Sequence, residues 1–210
     1  VYFASEPKAI FTLIGKKLPA NLSQIKRYLV NGYRSLYKTK QTFFDGLREI
    51  SPGTYRVYDN CAPYDVSYWQ PNFNQQNPSL TYAESVEAVR EALTSSVELR
   101  LRADVPIAFC LSGGVDSNAL ISIAARELNY DVHAFTIINT DKRYEERDLV
   151  TAAVQELGLR HTTVPINSDG FLDNLRILIK AHDAPIYTIS YYAHWMLMQS
   201  IHKAGYKVSV

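Results

Sequence analysis

This sequence predicts an α/β fold: a parallel, twisted sheet with helices on both faces, preceded by a shorter α+β segment. Three observations point there. From residue 81 onward, near-continuous apolar runs alternate with longer amphipathic ones, as in a sheet buried on both sides. One transition, from Val105–Leu111 to the helix-like run Val115–Leu128, passes through Ser112-Gly113-Gly114-Val115-Asp116-Ser117, a strand–turn–helix junction. Residues 71–80, polar and carrying Pro71 and Pro78, read as a linker that separates this pattern from a tyrosine-rich region before it.

Taken in order, Glu6–Ile14 and Leu22–Val30 read as short helices. Thr42–Ile50 and Thr54–Tyr58 read as strands joined by a turn at Ser51-Pro52-Gly53. After the linker, Thr81-Tyr82-Ala83-Glu84 is a capping box. It opens a long helix with Val86, Val89, Leu93, Val97 and Leu101 on one face, and with Arg100 and Arg102 at its carboxyl end, where cations suit the dipole. The strand Val105–Leu111, the junction and its helix follow. Then come a strand at Val132–Ile138, a helix from about Tyr144 to Leu157 closed by Gly158, and a strand at His161–Ile166. Helices near Phe171–His182 and Tyr191–Lys203 and a last strand at Tyr206–Val210 complete the chain. Sheets of this kind bind ligands at the carboxyl ends of their strands, where Ser112–Ser117 and Ile138–Lys142 both emerge.

The junction has the chemistry of a phosphate cradle. A helix N-terminus offers unpaired N–H groups and a positive dipole end. Gly113 and Gly114 are expected to allow close approach of the anion and a positive φ, and Ser112 and Ser117 add hydroxyl donors. A Walker loop is excluded because no lysine lies between Leu111 and Asp141, and the dinucleotide spacing G-x-G-x-x-G is absent. The carboxylate of Asp116 beside a phosphate requires a cation between them, so it predicts Mg²⁺. Helix capping is the simpler use of an acidic residue there, but it leaves the two glycines and two serines unexplained.

The 210 residues, 47% hydrophobic with net charge +1, fit a globular protein and give no sign of a nucleic-acid or membrane-surface partner. No stretch is apolar enough to span a bilayer, and no signal-like start is present. Cys61 and Cys110 are isolated, Cys110 within an apolar run, which fits a reducing, cytoplasmic setting. The chain opens in the apolar run Val1–Ala4 without methionine and stops at Lys207–Val210, so a fragment of a longer protein is expected.

S-G-G-V-D-S after V-P-I-A-F-C-L resembles the pyrophosphate loop of the N-type ATP pyrophosphatases. Within that group the chain resembles the glutamine-hydrolysing asparagine synthetases. Phe3-Ala4-Ser5-Glu6-x-Lys8-Ala9 and Thr42–Leu47 through Gly53 are similar to the end of that family's glutaminase domain, and Arg100–Pro106 to its approach to the loop. The resemblance implies an adenine nucleotide α-hydrolase-like sheet. It also implies that residues 1–70 close a class II (N-terminal-nucleophile) glutaminase domain, that 71–80 are a linker, and that 81–210 begin the synthetase domain. Such enzymes adenylate a carboxylate (the aspartate side chain in asparagine-forming members), release pyrophosphate, and form the amide with glutamine-derived ammonia. By motif match, Ser112, Gly113, Gly114, Val115 and Ser117 would hold the pyrophosphate of ATP and Asp116 its magnesium. Leu111 and Ile137 would contact the adenosine, and Ser112 and Asp116 carry the catalysis. Homodimers are frequent in the family.

The same resemblance shows what lies elsewhere. The cysteine nucleophile would precede Val1 and a second motif, S-G-x-G-x-D-E, would follow Val210, so this stretch alone is expected to be inactive. Around Asp183 the chain reads D-A-P-I-Y-T, where bacterial asparagine synthetases often read D-V-T-T-I-R and other members D-E-P. The acceptor carboxylate is therefore open: aspartate, a sugar acid, or an internal carboxylate closing a lactam. Asp183 and Glu146 are the candidate substrate contacts. Glu145, Glu146 and Asp148 can equally be dipole-favouring residues at a helix start. His133 reads as structural, His161 and His182 as either, and His194 and His202 lack metal-ligand spacing. Two other classes compete: a non-catalytic ATP-binding module, and tRNA thiolation, which shares the loop but wants reactive cysteines and a basic surface that this chain does not offer.

Overall fold

The computed structural model describes residues 1–59, 62–73, 79–138 and 146–210. Two compact units emerge. One comprises Val1–Asn77 with Ile179–Tyr187, the other Pro78–Leu178 with Thr188–Val210. Cys61, Glu145, the middle of the proposed linker and the residues just after Ile138 lie outside the described residues.

The first unit contains α1 (Pro7–Ile14), α2 (Leu22–Asn31), a 3-10 turn at Tyr33–Lys38, and the antiparallel pair β1 (Thr54–Val57) and β2 (Tyr64–Ser67). Asn21 caps α2 by accepting the Gln24 N–H at 3.1 Å. Thr42–Ile50, read above as a strand, is instead a tight turn between single bridges, Gln41 to Arg48 and Ala20 to Phe44. The partner of β1 is β2, which the sequence did not reveal. Arg56 and Asp65 face each other in the β1–β2 register and form a two-point ion pair at 2.6 and 3.1 Å. Lys40 joins it at 2.6 Å. Hydrogen bonds from Arg56 and then Lys40 hold the Asp65 carboxyl far below the usual range. Gly53 turns the chain into β1 at φ 64, where a Cβ would run into the Trp69 carbonyl.

The second unit is the predicted parallel sheet. Its order is β5 (Arg160–Pro165), β4 (His133–Ile138), β3 (Ile107–Cys110), β6 (Val208–Ser209), all parallel. The helices are α3 (Tyr82–Arg100), α4 (Val115–Ser122), α5 (Arg147–Leu157), α6 (Phe171–His182, whose last turn groups with the first unit) and α7 (Ser190–Lys203). Strand alternation makes two cores. On one face Ile107, Phe109, Leu111 and Ala134 meet Val97 of α3, Ile121 of α4 and Val150 of α5. On the other, Ala108, Phe135 and Val164 meet Leu197 and Ile201 of α7.

Two details depart from expectation. The helix after the junction is α only to Ser122; Ile123–Glu127 widen into a π turn, closed by Leu128 N–H to the Ile123 carbonyl at 3.0 Å. The apolar stripe of α3 is covered only at its carboxyl end: Val97 is 2% exposed, while Val86 and Val89 are 50% and 59% exposed. The capping box forms as predicted, with Thr81 and Glu84 exchanging bonds at 2.8 and 3.3 Å. No helix among the described residues is long and apolar enough to cross a membrane.

Phe135 has no exposed surface and sits between the His133 and Tyr206 rings, 4.4 and 5.8 Å away. Phe135→Ala should lower the unfolding free energy by about 3–5 kcal/mol. The exposed Tyr82→Ala should stay within about 0.5 kcal/mol in the same denaturant titration.

Candidate functional site

The site is built at the carboxyl ends of β3 and β4. Leu111 donates its N–H to the Phe135 carbonyl at 2.9 Å, and its own carbonyl accepts the Thr136 hydroxyl at 2.8 Å. Both backbone groups of a buried residue are thereby paired with β4, and the chain leaves the sheet at a fixed point.

The turn that follows is closed by its own side chains. The Ser112 and Ser117 hydroxyls lie 2.9 Å apart. Ser117 Oγ accepts the Ser112 N–H at 3.1 Å, and Ser112 Oγ accepts the Gly114 N–H at 3.2 Å. Asn118 Nδ2 donates to the Ser112 and Gly114 carbonyls at 2.9 and 2.8 Å, which pairs both acceptors within the turn. Gly114 is the N-cap of α4, which has no side-chain cap, so the first-turn N–H groups of Val115, Asp116 and Ser117 are left to an external acceptor. The Asp116 carboxylate is exposed and has no hydrogen bond or ion pair among the described residues.

The glycines serve by being small. Neither Gly113 nor Gly114 has a positive φ, contrary to expectation; Gly114 is extended at φ −77, ψ 151. A Cβ on Gly113 would instead come 3.0 Å from Glu146 Cβ and 3.2 Å from its Cδ. Glu146, the residue before α5, places Oε2 2.6 Å from the Gly113 nitrogen and accepts its N–H. The turn already holds a carboxylate oxygen at one of its donors, which is the chemistry a phosphate oxygen would need there. The residues fit a nucleotide phosphate. Among the described residues they supply the unpaired carboxylate of Asp116 for a divalent ion, and no cluster of three His, Cys, Asp or Glu could hold a metal without further ligands.

Beside the turn a cavity of about 490 Å³ opens at the ends of β4 and β5. Its lining includes Thr136, Ile137, Ile138, Glu146, Thr151 and His161. His161 Nε2 lies 2.9 Å from Thr136 Oγ1. Because that hydroxyl already donates to Leu111, His161 donates to it, which sets the tautomer. Burial pushes the His161 pKa below the ordinary value, and burial first, then Arg160, does the same to His133. His133 is bracketed by Tyr206 OH at 3.0 Å and Thr162 Oγ1 at 2.9 Å, the structural role expected of it. Burial raises the Cys110 thiol, leaving it an unreactive neighbour of the site.

The sequence-predicted residues Leu111–Ser117 thus stand together, with Ile137 on the cavity wall and Glu146 between cavity and turn. Asp183 belongs to the other unit. Its carboxylate accepts the Lys8 N–H at 3.0 Å and pairs with Lys8 Nζ at 3.2 Å, at the start of α1. Glu6 and then Asp183 hold the Lys8 ammonium above its usual range. Asn118 and Thr136 escaped the sequence reading, which leaves His161 open between a structural and a functional role. Only their places, six residues past Ser112 and on strands flanking the turn, could have marked them.

A sequence model of the asparagine synthase family matches residues 88–210, more than half of the chain. The chain belongs to the asparagine synthase family. Among its relatives, the glutamine-hydrolysing asparagine synthetase 1 of Bacillus subtilis is 25% identical over 190 residues, covering 89% of this chain and 28% of that protein. A probable asparagine synthetase of Schizosaccharomyces pombe is 32% identical over 120 residues, 57% of this chain and 20% of that protein. Amidase chyE of Penicillium rubens is 23% identical over 187 residues, 81% of this chain and 28% of that protein. The chain spans under a third of the length of these relatives.

The depressed histidines give the unit a pH signature. The unfolded chain binds more protons than the folded one once pH drops below about 6.5, the ordinary histidine value. Stability is complete above that pH and falls as pH descends toward the folded values. The thermal midpoint should therefore drop between about pH 7 and pH 5, and H133N/H161Q should flatten that slope.

Proposed function

We propose that the turn at Ser112–Ser117 binds the phosphates of ATP and that the intact protein forms an amide. It would adenylate a carboxylate, release pyrophosphate and transfer glutamine-derived ammonia. The observation that carries this reading is the uncapped start of α4 behind a serine-closed glycine turn, with the exposed carboxylate of Asp116, unpaired among the described residues, at its edge. Family membership supports it. On the same reading residues 1–70 end a glutaminase domain and 81–210 begin the synthetase domain.

The roles follow from the geometry. The first turn of α4 presents N–H donors fixed before substrate arrives, so charge developing on the leaving pyrophosphate meets dipoles that need not reorganise. Ser112 and Ser117 hold the turn in shape through their mutual bond and can lend a hydroxyl to a phosphate oxygen. Asp116 would hold Mg²⁺ together with phosphate oxygens, and bound there the ion would neutralise charge on the leaving group. Ile137 supplies apolar surface in the cavity for the base, and Leu111, buried in the core, anchors the start of the turn beside it. Asp183, engaged by Lys8, is assigned to holding α1.

Aspartate is the first acceptor proposed. The D-A-P-I-Y-T segment at Asp183 and the likeness to an amidase favour a second, another carboxylic acid as acceptor on the same adenylation chemistry. Carboxylate-dependent ATP–pyrophosphate exchange by the intact protein tests both, with aspartate and sugar acids in the panel. Exchange with aspartate supports the first, exchange only with another acid the second, and none with any acid defeats the ligase reading. Asp116→Asn should lower kcat by roughly tenfold or more while the KM for ATP moves less than about threefold, because the ion acts most strongly in the transition state. An unchanged exchange rate would remove Asp116 from catalysis.

A further inference from the structure

We propose that Glu146 is an internal anion that fills the phosphate seat at Gly113 until nucleotide displaces it, so that ATP binding is an exchange of one anion for another. This rests on the reading of the turn as a phosphate site.

Three facts carry it. The carboxylate of Glu146 accepts the Gly113 N–H at 2.6 Å, the length of a strong charge-assisted bond. Its Cβ and Cδ lie 3.0 and 3.2 Å from where a Cβ of residue 113 would stand, closer than ordinary van der Waals contact, so the side chain lies directly over the glycine. It comes from a different strand connection, thirty-three residues away, so nothing local forces the contact. Gly114 N–H is meanwhile taken by Ser112 Oγ. The two turn donors ahead of α4 are thus both occupied by the protein itself.

A phosphate oxygen and a carboxylate cannot share this N–H without two like charges standing within a few ångströms, which is repulsive even near the surface. A polyphosphate must therefore move Glu146 off Gly113. The consequence is selective. A monovalent or weakly held anion gains too little to evict the carboxylate, whereas a pyrophosphate group recovers the loss through the α4 N–H groups. Glu146 also lines the neighbouring cavity, so it stays at the site after leaving Gly113.

The test is calorimetric binding of magnesium-free inorganic pyrophosphate to the intact protein and to Glu146→Gln and Glu146→Ala. Both variants should bind pyrophosphate about three- to tenfold more tightly, the scale of one exposed charge-assisted contact. The amide resonance of Gly113 should move upfield in both variants, and should also move in the unsubstituted protein when pyrophosphate is added. If the unsubstituted protein binds pyrophosphate and the variants bind it equally or more weakly, Glu146 is no competitor and the proposal falls while the phosphate site stands. If neither protein nor variant binds pyrophosphate, the phosphate site and this proposal fall together.

Discussion

The pairing of Leu111 with β4 holds the rest in place. Its N–H and carbonyl are bonded to Phe135 and Thr136 in the buried centre of the sheet, where an unpaired backbone group would cost about 1–3 kcal/mol. Thr136 is tied in turn to His161 on β5. Three adjacent strands are thus stitched together at the level where β3 ends. The turn that follows inherits a fixed origin, and α4 is aimed by it. Preorganised donors are of use only if the backbone bearing them does not yield, and this stitch is what prevents yielding.

Two faces of one sheet do different work. The face toward α3, α4 and α5 buries Ile107, Phe109 and Leu111, so the residues that lead into the turn are also the residues that anchor it. The face toward α7 is filled by Phe135 with its aromatic neighbours and by Leu197 and Ile201. Because β3 and β4 are parallel neighbours, their carboxyl ends lie at the same edge of the sheet. That is how Glu146, just ahead of α5, reaches Gly113.

Much of this was legible in the residues. The second unit announced itself because strands buried on both faces read as unbroken apolar runs, and because Thr81 and Glu84 sit at capping-box spacing. The turn was legible from its composition. Failures came where local signal and tertiary context part. Phe43 and Phe44 look like strand residues, yet the turn from Phe44 to Leu47 bends them out of any ladder. Tyr64–Ser67 is too short, and too close to Pro63, to stand out, and only its pairing with Thr54–Val57 makes it a strand. The π turn at Ile123–Glu127 has no marker residue. One of the two reasons given for the glycines fails: left-handed backbone is absent at both, and at Gly113 crowding by a residue thirty-three positions away is what the fold imposes. No periodicity carries that information.

That crowding couples two positions unequally. Any side chain at 113 must find room where the stem of Glu146 now lies, so a substitution at the glycine asks Glu146 to give way by a few tenths of an ångström. A shorter side chain at 146 meets no such steric demand from the glycine, and would loosen the constraint on its partner.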